Sequence, residues 1–141
     1  AFAFRVDTAA GSVTISGDTT ATDNLVTLAR DTDLLLHEAI DFDWVESRYG
    51  GSPTEADRAS IDHHRRSHTS PEQAVELAER AGAARLALHH LVPGHTTTQR
   101  WRELSSDFSG EFFIPEDLAT IPFARTTADA DTAALKVGAL R

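Results

Sequence analysis

Side chains able to do acid–base or metal chemistry recur in this sequence immediately after short apolar or β-branched runs. Asp18 follows Ser12-Val13-Thr14-Ile15-Ser16, His37-Glu38 follow Leu34-Leu35-Leu36, and His89-His90 follow Leu86-Ala87-Leu88. If those runs are strands of an α/β sheet, their carboxyl ends gather such residues along one edge, where ligands bind. His68 stands two residues before Ser70-Pro71, a helix start whose amides and dipole favour an anion. A negatively charged substrate group near His68 would make physical sense. The chain has no Cys, so thiolate zinc sites, Cys nucleophiles and disulfides are excluded, and any metal must use His, Asp or Glu.

Each residue also has a plainer reading. Asp18 suits a turn or helix cap, and His37 a buried, hydrogen-bonded histidine with Glu38 as its solvent neighbour. Adjacent His63 and His64 cannot point the same way along a helix, and Arg65-Arg66 would repel a cation, so both histidines read as surface or supporting residues. His89 and His90 alternate across a strand end, so at most one faces a given site. His95, after Pro93-Gly94, reads as loop.

The elements that must position these residues follow from periodicity. Phe2 to Asp7 alternates with period two, Ala10-Gly11 breaks the pattern, and residues 12–16 resume it, which predicts a hairpin. Leu25, Val26, Leu28 and Ala29 carry a short helical pattern, and Leu34-Leu35-Leu36 reads as a strand covered on both faces, completing a βαβ unit. Residues 41–52 lack a period and predict a surface loop. Ser52-Pro53-Thr54-Glu55 and Ser70-Pro71-Glu72-Gln73 each resemble a capping box with Ser as N-cap and Pro at the first helical position. The second opens an amphipathic helix with Ala74, Val75, Leu77, Ala78 and Ala81 on one face and Gly82 at its C-terminal cap. Leu86-Ala87-Leu88 then closes a second βαβ unit. Trp101, Leu104 and Phe108 suggest a further helix, Phe112-Phe113-Ile114 and Ile121-Pro122-Phe123 short edge strands, and 124–141 a tail or terminal helix.

Length and composition bound the rest. With 141 residues, 40% of them hydrophobic, the chain is long enough for one domain with its own core. Thirteen Lys and Arg against 22 Asp and Glu leave a net charge of −9, which argues against a broad phosphate-binding surface. No apolar run is long enough to cross a membrane, and the opening AFAFRVD lacks both an initiator Met and the order of a signal peptide. The start inside a strand leads us to expect a processed, cleaved or truncated product.

Taken in order, Gly17-Asp18-Thr19, Leu36-His37-Glu38-Ala39, His68-Thr69-Ser70 and Leu88-His89-His90-Leu91 resemble the second half of a metallo-β-lactamase-fold hydrolase, most similar to the ribonuclease Z and arylsulfatase-like branch. The resemblance covers residues 1–123, with 124–141 as a C-terminal tail. It implies an α/β fold, half of a four-layer αββα sandwich with a mixed sheet covered by helices. It also implies two zinc ions, with Asp18 as bridging ligand and His90 as a terminal one. Glu38 and His68 match a pair in which the histidine protonates the leaving oxygen, held and raised in pKa by the carboxylate, and Ser70 would help to hold the substrate. The implied reaction is cleavage of a phosphodiester or sulfate ester by metal-bound hydroxide, on a small anionic ester or a nucleic acid. His-His-Leu-Val-Pro at 89–93 departs from the Thr-His-Phe-Ser-Pro of ribonuclease Z toward the arylsulfatase-like members.

The His-x-His-x-Asp-His loop that defines the superfamily is absent from the sequence. Asp18 and His90 alone give two ligands where a catalytic zinc usually takes three. The expectation is therefore a C-terminal half, inactive in isolation, whose partner half lies outside this chain. The sheet face left bare by that half should be apolar, so a homodimer is expected, along with a cytoplasmic location and no membrane partner. The competing reading, from a different class, is a non-catalytic α/β fragment or interaction module whose strand-end His and Asp are structural.

Overall fold

The computed structural model describes residues 2–123 and 134–136. Its centre is a five-stranded mixed sheet in the order β1-β2-β3-β4-β5. Strands β1 (Phe4–Thr8) and β2 (Gly11–Ile15) form the expected antiparallel hairpin. Strand β2 then pairs in parallel with β3 (Leu34–Ile40) across helix α1 (Asp23–Leu28), the first βαβ unit. A short helix and two longer ones, α2 (Phe42–Ser47), α3 (Glu55–Ser67) and the amphipathic α4 (Pro71–Ala81), lead to β4 (Arg85–Val92), parallel to β3. Helix α5 (Thr98–Leu104) returns the chain to β5 (Glu111–Phe113), parallel to β4 at the sheet edge. Strands β6 (Thr120–Pro122) and β7 (Ala134–Lys136) form a separate antiparallel pair. The terminal helix expected within 124–141 gives way to a strand at 134–136, and the rest of that stretch lies outside the described residues.

The alternating side chains of β3 divide the core between the two sheet faces. Leu35 and Ala39 join Leu86 and Leu88 of β4 under α4, whose Ala74, Val75, Ala78 and Ala81 fill that layer, with Trp101 of α5 completing it. Small residues along α4 let the helix lie close on the sheet, and Ser70 and αL Gly82 cap its two ends as the sequence predicts. On the opposite face Val13, Leu34, Leu36 and Ala87 pack with Ile121, Phe113 and Phe123. That face is therefore covered over its centre, correcting the expectation of a bare one, because residues 121 and 123 fold back over it. It stays open at the hairpin, where Phe2, Phe4 and Val6 are 82%, 62% and 53% exposed.

Two local readings change. Residues 42–47 are helical where a loop is expected: Asp41 caps the segment by accepting from the Trp44 N–H at 3.2 Å, and one capped turn and a half carries too few residues for a period to register. Helix α3 starts at Thr54, not Ser52, because Asp57 reaches back to the Thr54 N–H at 2.8 Å and closes the capping box there.

Candidate functional site

The loops after β2, β3 and β4 converge as their parallel pairing requires. Asp18 follows β2 through Gly17 at φ +59°, where a Cβ would meet the Phe2 carbonyl oxygen at 2.7 Å, so only glycine makes that turn without strain. His90 is delivered by a β-bulge. Glu38 pairs with His89 but Ala39 pairs with Leu91, leaving His90 as the extra residue at φ +46°. Bulges re-aim side chains at sheet edges and beside active sites, and this one turns His90 out of the ladder's alternation. Its Nδ1 lies 2.9 Å from Asp18 Oδ1.

His68 arrives from the other side as the C-cap of α3, its N–H donating to the His64 carbonyl at 2.9 Å. Two residues later Ser70 caps α4, so His68-Thr69-Ser70 is the joint between two helices. Ser70 Oγ accepts from the Gln73 N–H at 3.2 Å, and the Ser70 N–H donates to Gln73 Oε1 at 3.0 Å. Those amides are thereby committed to the helix and are not open to an anion as the sequence suggests.

Thr69, which the sequence reading passes over, is the pin of the joint. Fully buried, it donates its N–H to Glu38 Oε1 at 2.9 Å and its hydroxyl to the Thr19 carbonyl at 2.6 Å, and its carbonyl accepts from the Ile40 N–H at 2.9 Å. The Thr19 N–H also donates to Glu38 Oε1, at 3.3 Å. Glu38 is thus a buried knot between the three loops and not the solvent neighbour of His37. His37 is the buried, hydrogen-bonded histidine of the plainer reading, its Nδ1 2.6 Å from the Glu38 carbonyl and therefore carrying the hydrogen.

Ligand-capable atoms of Asp18, His68 and His90 lie within 4.8 Å of one another. Together they offer a carboxylate and two imidazoles, a donor set that suits a divalent ion such as zinc. Around them the buried Glu38 Oε2, His68 Nδ1 and His89 Nε2 have no hydrogen-bond partner among the described residues. Buried polar atoms rarely stay unpaired, so the arrangement fits an ion with a polar shell around it. The set reaches three groups, one more than Asp18 and His90 supply.

The electrostatics differ from expectation at one point. His68 Nδ1 lies 3.4 Å from Glu38 Oε1, an ion-pair separation too long for a good hydrogen bond, yet its pKa is lowered, chiefly by burial, with Asp18 opposing. The expected rise fails because burial drives Glu38 itself up to about 8, leaving it mostly uncharged at neutral pH. Burial likewise lowers His37 to about 4 and pushes His89 down. Of the other histidines, His64 stands 6.0 Å from His68 between ring centroids, consistent with a supporting role, and His95 packs edge-on against Trp44.

No protein-family model matches the chain. It is 37% identical over 115 residues to the ribonuclease Z of Natronomonas pharaonis, covering 79% of this chain and 33% of that protein. To the ribonuclease Z of Mycobacterium tuberculosis H37Rv it is 33% identical over 118 residues, 82% of this chain and 40% of that one. Among solved structures it superposes on the metallo-β-lactamase fold protein YhfI of Bacillus subtilis with a TM-score of 0.60 at 23% identity, covering 81% of this chain and 41% of that one. It superposes on the short form of human tRNase Z with a TM-score of 0.54 at 23% identity, over 88% of this chain and 38% of that one. The chain spans about a third to two fifths of the length of these curated relatives. The mixed sheet, the three converging loops and these likenesses agree: the chain is a metallo-β-lactamase-fold protein related to ribonuclease Z, corresponding to part of its relatives' length.

Proposed function

We propose that this chain carries one side of the catalytic centre of a zinc-dependent hydrolase that cleaves phosphodiesters. The convergence of Asp18, His68 and His90 within 4.8 Å, above the buried Glu38, carries the reading. A phosphodiester is preferred to a sulfate ester because the curated relatives are ribonucleases. Asp18 and His90 would hold metal, which when bound supplies Lewis acidity and an activated water. His68 would pass a proton to the leaving oxygen, with Glu38 and Thr69 holding its loop in place. Ser70 would touch the substrate through its hydroxyl hydrogen, its oxygen and amide being engaged in the cap.

In the same proposal residues 1–123 are the C-terminal part of the domain, and 124–141 its tail. The full centre holds two zinc ions and needs a His-x-His-x-Asp-His segment from outside the chain, so the isolated chain does not turn over. The protein is cytoplasmic and pairs with a second copy, with exposed Phe2, Phe4 and Val6 at the hairpin as the supporting feature; light scattering of Phe4→Lys beside the parent chain tests that part.

The central test is the zinc content of the intact protein that contains this chain. Two zinc ions per intact chain are expected, with zinc lost on Asp18→Asn and on His90→Ala, and the isolated chain should not hydrolyse bis(p-nitrophenyl) phosphate. No zinc in the intact protein would favour the interaction-module reading.

A further inference from the structure

Helix α2, helix α3 and the end of β4 flank an open cavity of about 410 Å³ lined by Trp44, Val45, Arg48, Tyr49, His64 and Val92. We propose that this cavity is the specificity pocket of the ester site and receives a planar aromatic ring carried by the anionic ester. The inference rests on the ester-hydrolase reading and adds the kind of group that sits beside the bond to be cleaved.

Position is the first argument. His64 lines the cavity, its ring centroid is 6.0 Å from that of His68, and His68 is in turn 5.9 Å from His90. His64 is therefore the wall shared by the cavity and the Asp18–His68–His90 cluster.

Chemistry is the second. The Trp44 ring is half-buried, and the Arg48 guanidinium lies 5.5 Å from its centroid, so a flat π face and a delocalised cation stand together. Val45 and Val92 supply apolar walls. An aliphatic group would use only those walls, whereas an aromatic ring also stacks on the indole and guanidinium planes. Arg48 adds local positive charge for an anionic ligand on a chain whose net charge is −9. The volume lies within the range of small-ligand pockets, roughly 300–1,000 Å³.

Neither the sequence reading nor the relatives' names point to this cavity, because α2 reads as a loop. The ring can come from a nucleobase or from a simple aryl ester, and the test separates the two. The two tryptophans give two indole N–H resonances in the 141-residue chain, and Trp101, buried in the core, serves as an internal reference. Adenosine monophosphate, phenyl phosphate and inorganic phosphate are titrated in turn. Both ring-bearing probes should shift Trp44 and leave Trp101 in place, and inorganic phosphate should move neither. Tighter binding of adenosine monophosphate assigns the pocket to a nucleobase, and the reverse order to an aryl group. By calorimetry Trp44→Ala should weaken the preferred probe about 10-fold or more, with Trp44→Phe retaining part of the affinity and confirming that the cavity is intact. A Trp44 resonance that ignores both ring-bearing probes, or Trp44→Ala binding as well as the parent, overturns the proposal. Asp18→Asn keeps the two readings apart: zinc lost from the intact protein with the Trp44 response preserved leaves the pocket standing by itself. Zinc binding by the intact protein with a silent Trp44 removes the pocket and spares the metal site.

Discussion

Glu38 Oε1 accepts the Thr69 N–H at 2.9 Å, joining the end of a central strand to the joint between two helices 31 residues further on. The same oxygen takes the Thr19 N–H, so one buried carboxyl holds the loops bearing Asp18 and His68 together. Glu38→Ala would leave two amides unpaired and should destabilise the chain by on the order of 2–3 kcal/mol in urea unfolding. Glu38→Gln keeps the accepting oxygen and resembles the uncharged form that burial favours, so its loss should stay below about 1 kcal/mol. Equal losses would show that the ionised carboxylate is what the fold requires.

Stability of the metal-free chain should peak near pH 6.5. Burial lowers His37 to about 4 and lowers His68 and His89 from 6.5, so below pH 6.5 the unfolded chain takes up protons that the fold refuses, and stability falls with falling pH. Glu38 works in the opposite sense: raised from 4.5 to about 8, it keeps a proton in the fold that the unfolded chain has released, and stability drains away as pH rises through that window. Above 6.5 only Glu38 among these still acts, for a loss of about 2 kcal/mol by pH 8. Urea midpoints across pH 4–9 test this, and a midpoint still climbing from pH 6.5 to 8 would sink it.

In the intact protein containing this chain, His68→Ala should lower turnover about 10²- to 10⁴-fold for esters with poor leaving groups, the usual worth of a positioned acid. The loss should shrink for a nitrophenyl ester, which leaves without protonation. Metal content should be unchanged. Because His68 also lies in the Asp18–His90 cluster, zinc analysis is decisive: loss of an ion would make it a ligand and not the acid.

Strands β1 to β6, the hairpin, α4 with its caps and the order of site residues were legible in the sequence, because alternation, small-residue faces and capping boxes are local patterns that neighbouring residues enforce. Residues 42–47 were not, since a helix this short depends on a cap and on packing more than on any period. Nor could a register be read one residue at a time. Adjacent His89 and His90 give no sign of which one turns out, and the answer lies in a bulge produced by how β3 and β4 pair. Thr69 looks like any small polar residue between helices until three loops meet on it. The side chains able to do the chemistry were determined by sequence; their charge states and distances were decided by tertiary structure, because burial and partners distant along the chain set both, as when Glu38, read as a charged carboxylate that raises the pKa of His68, is buried and held largely uncharged.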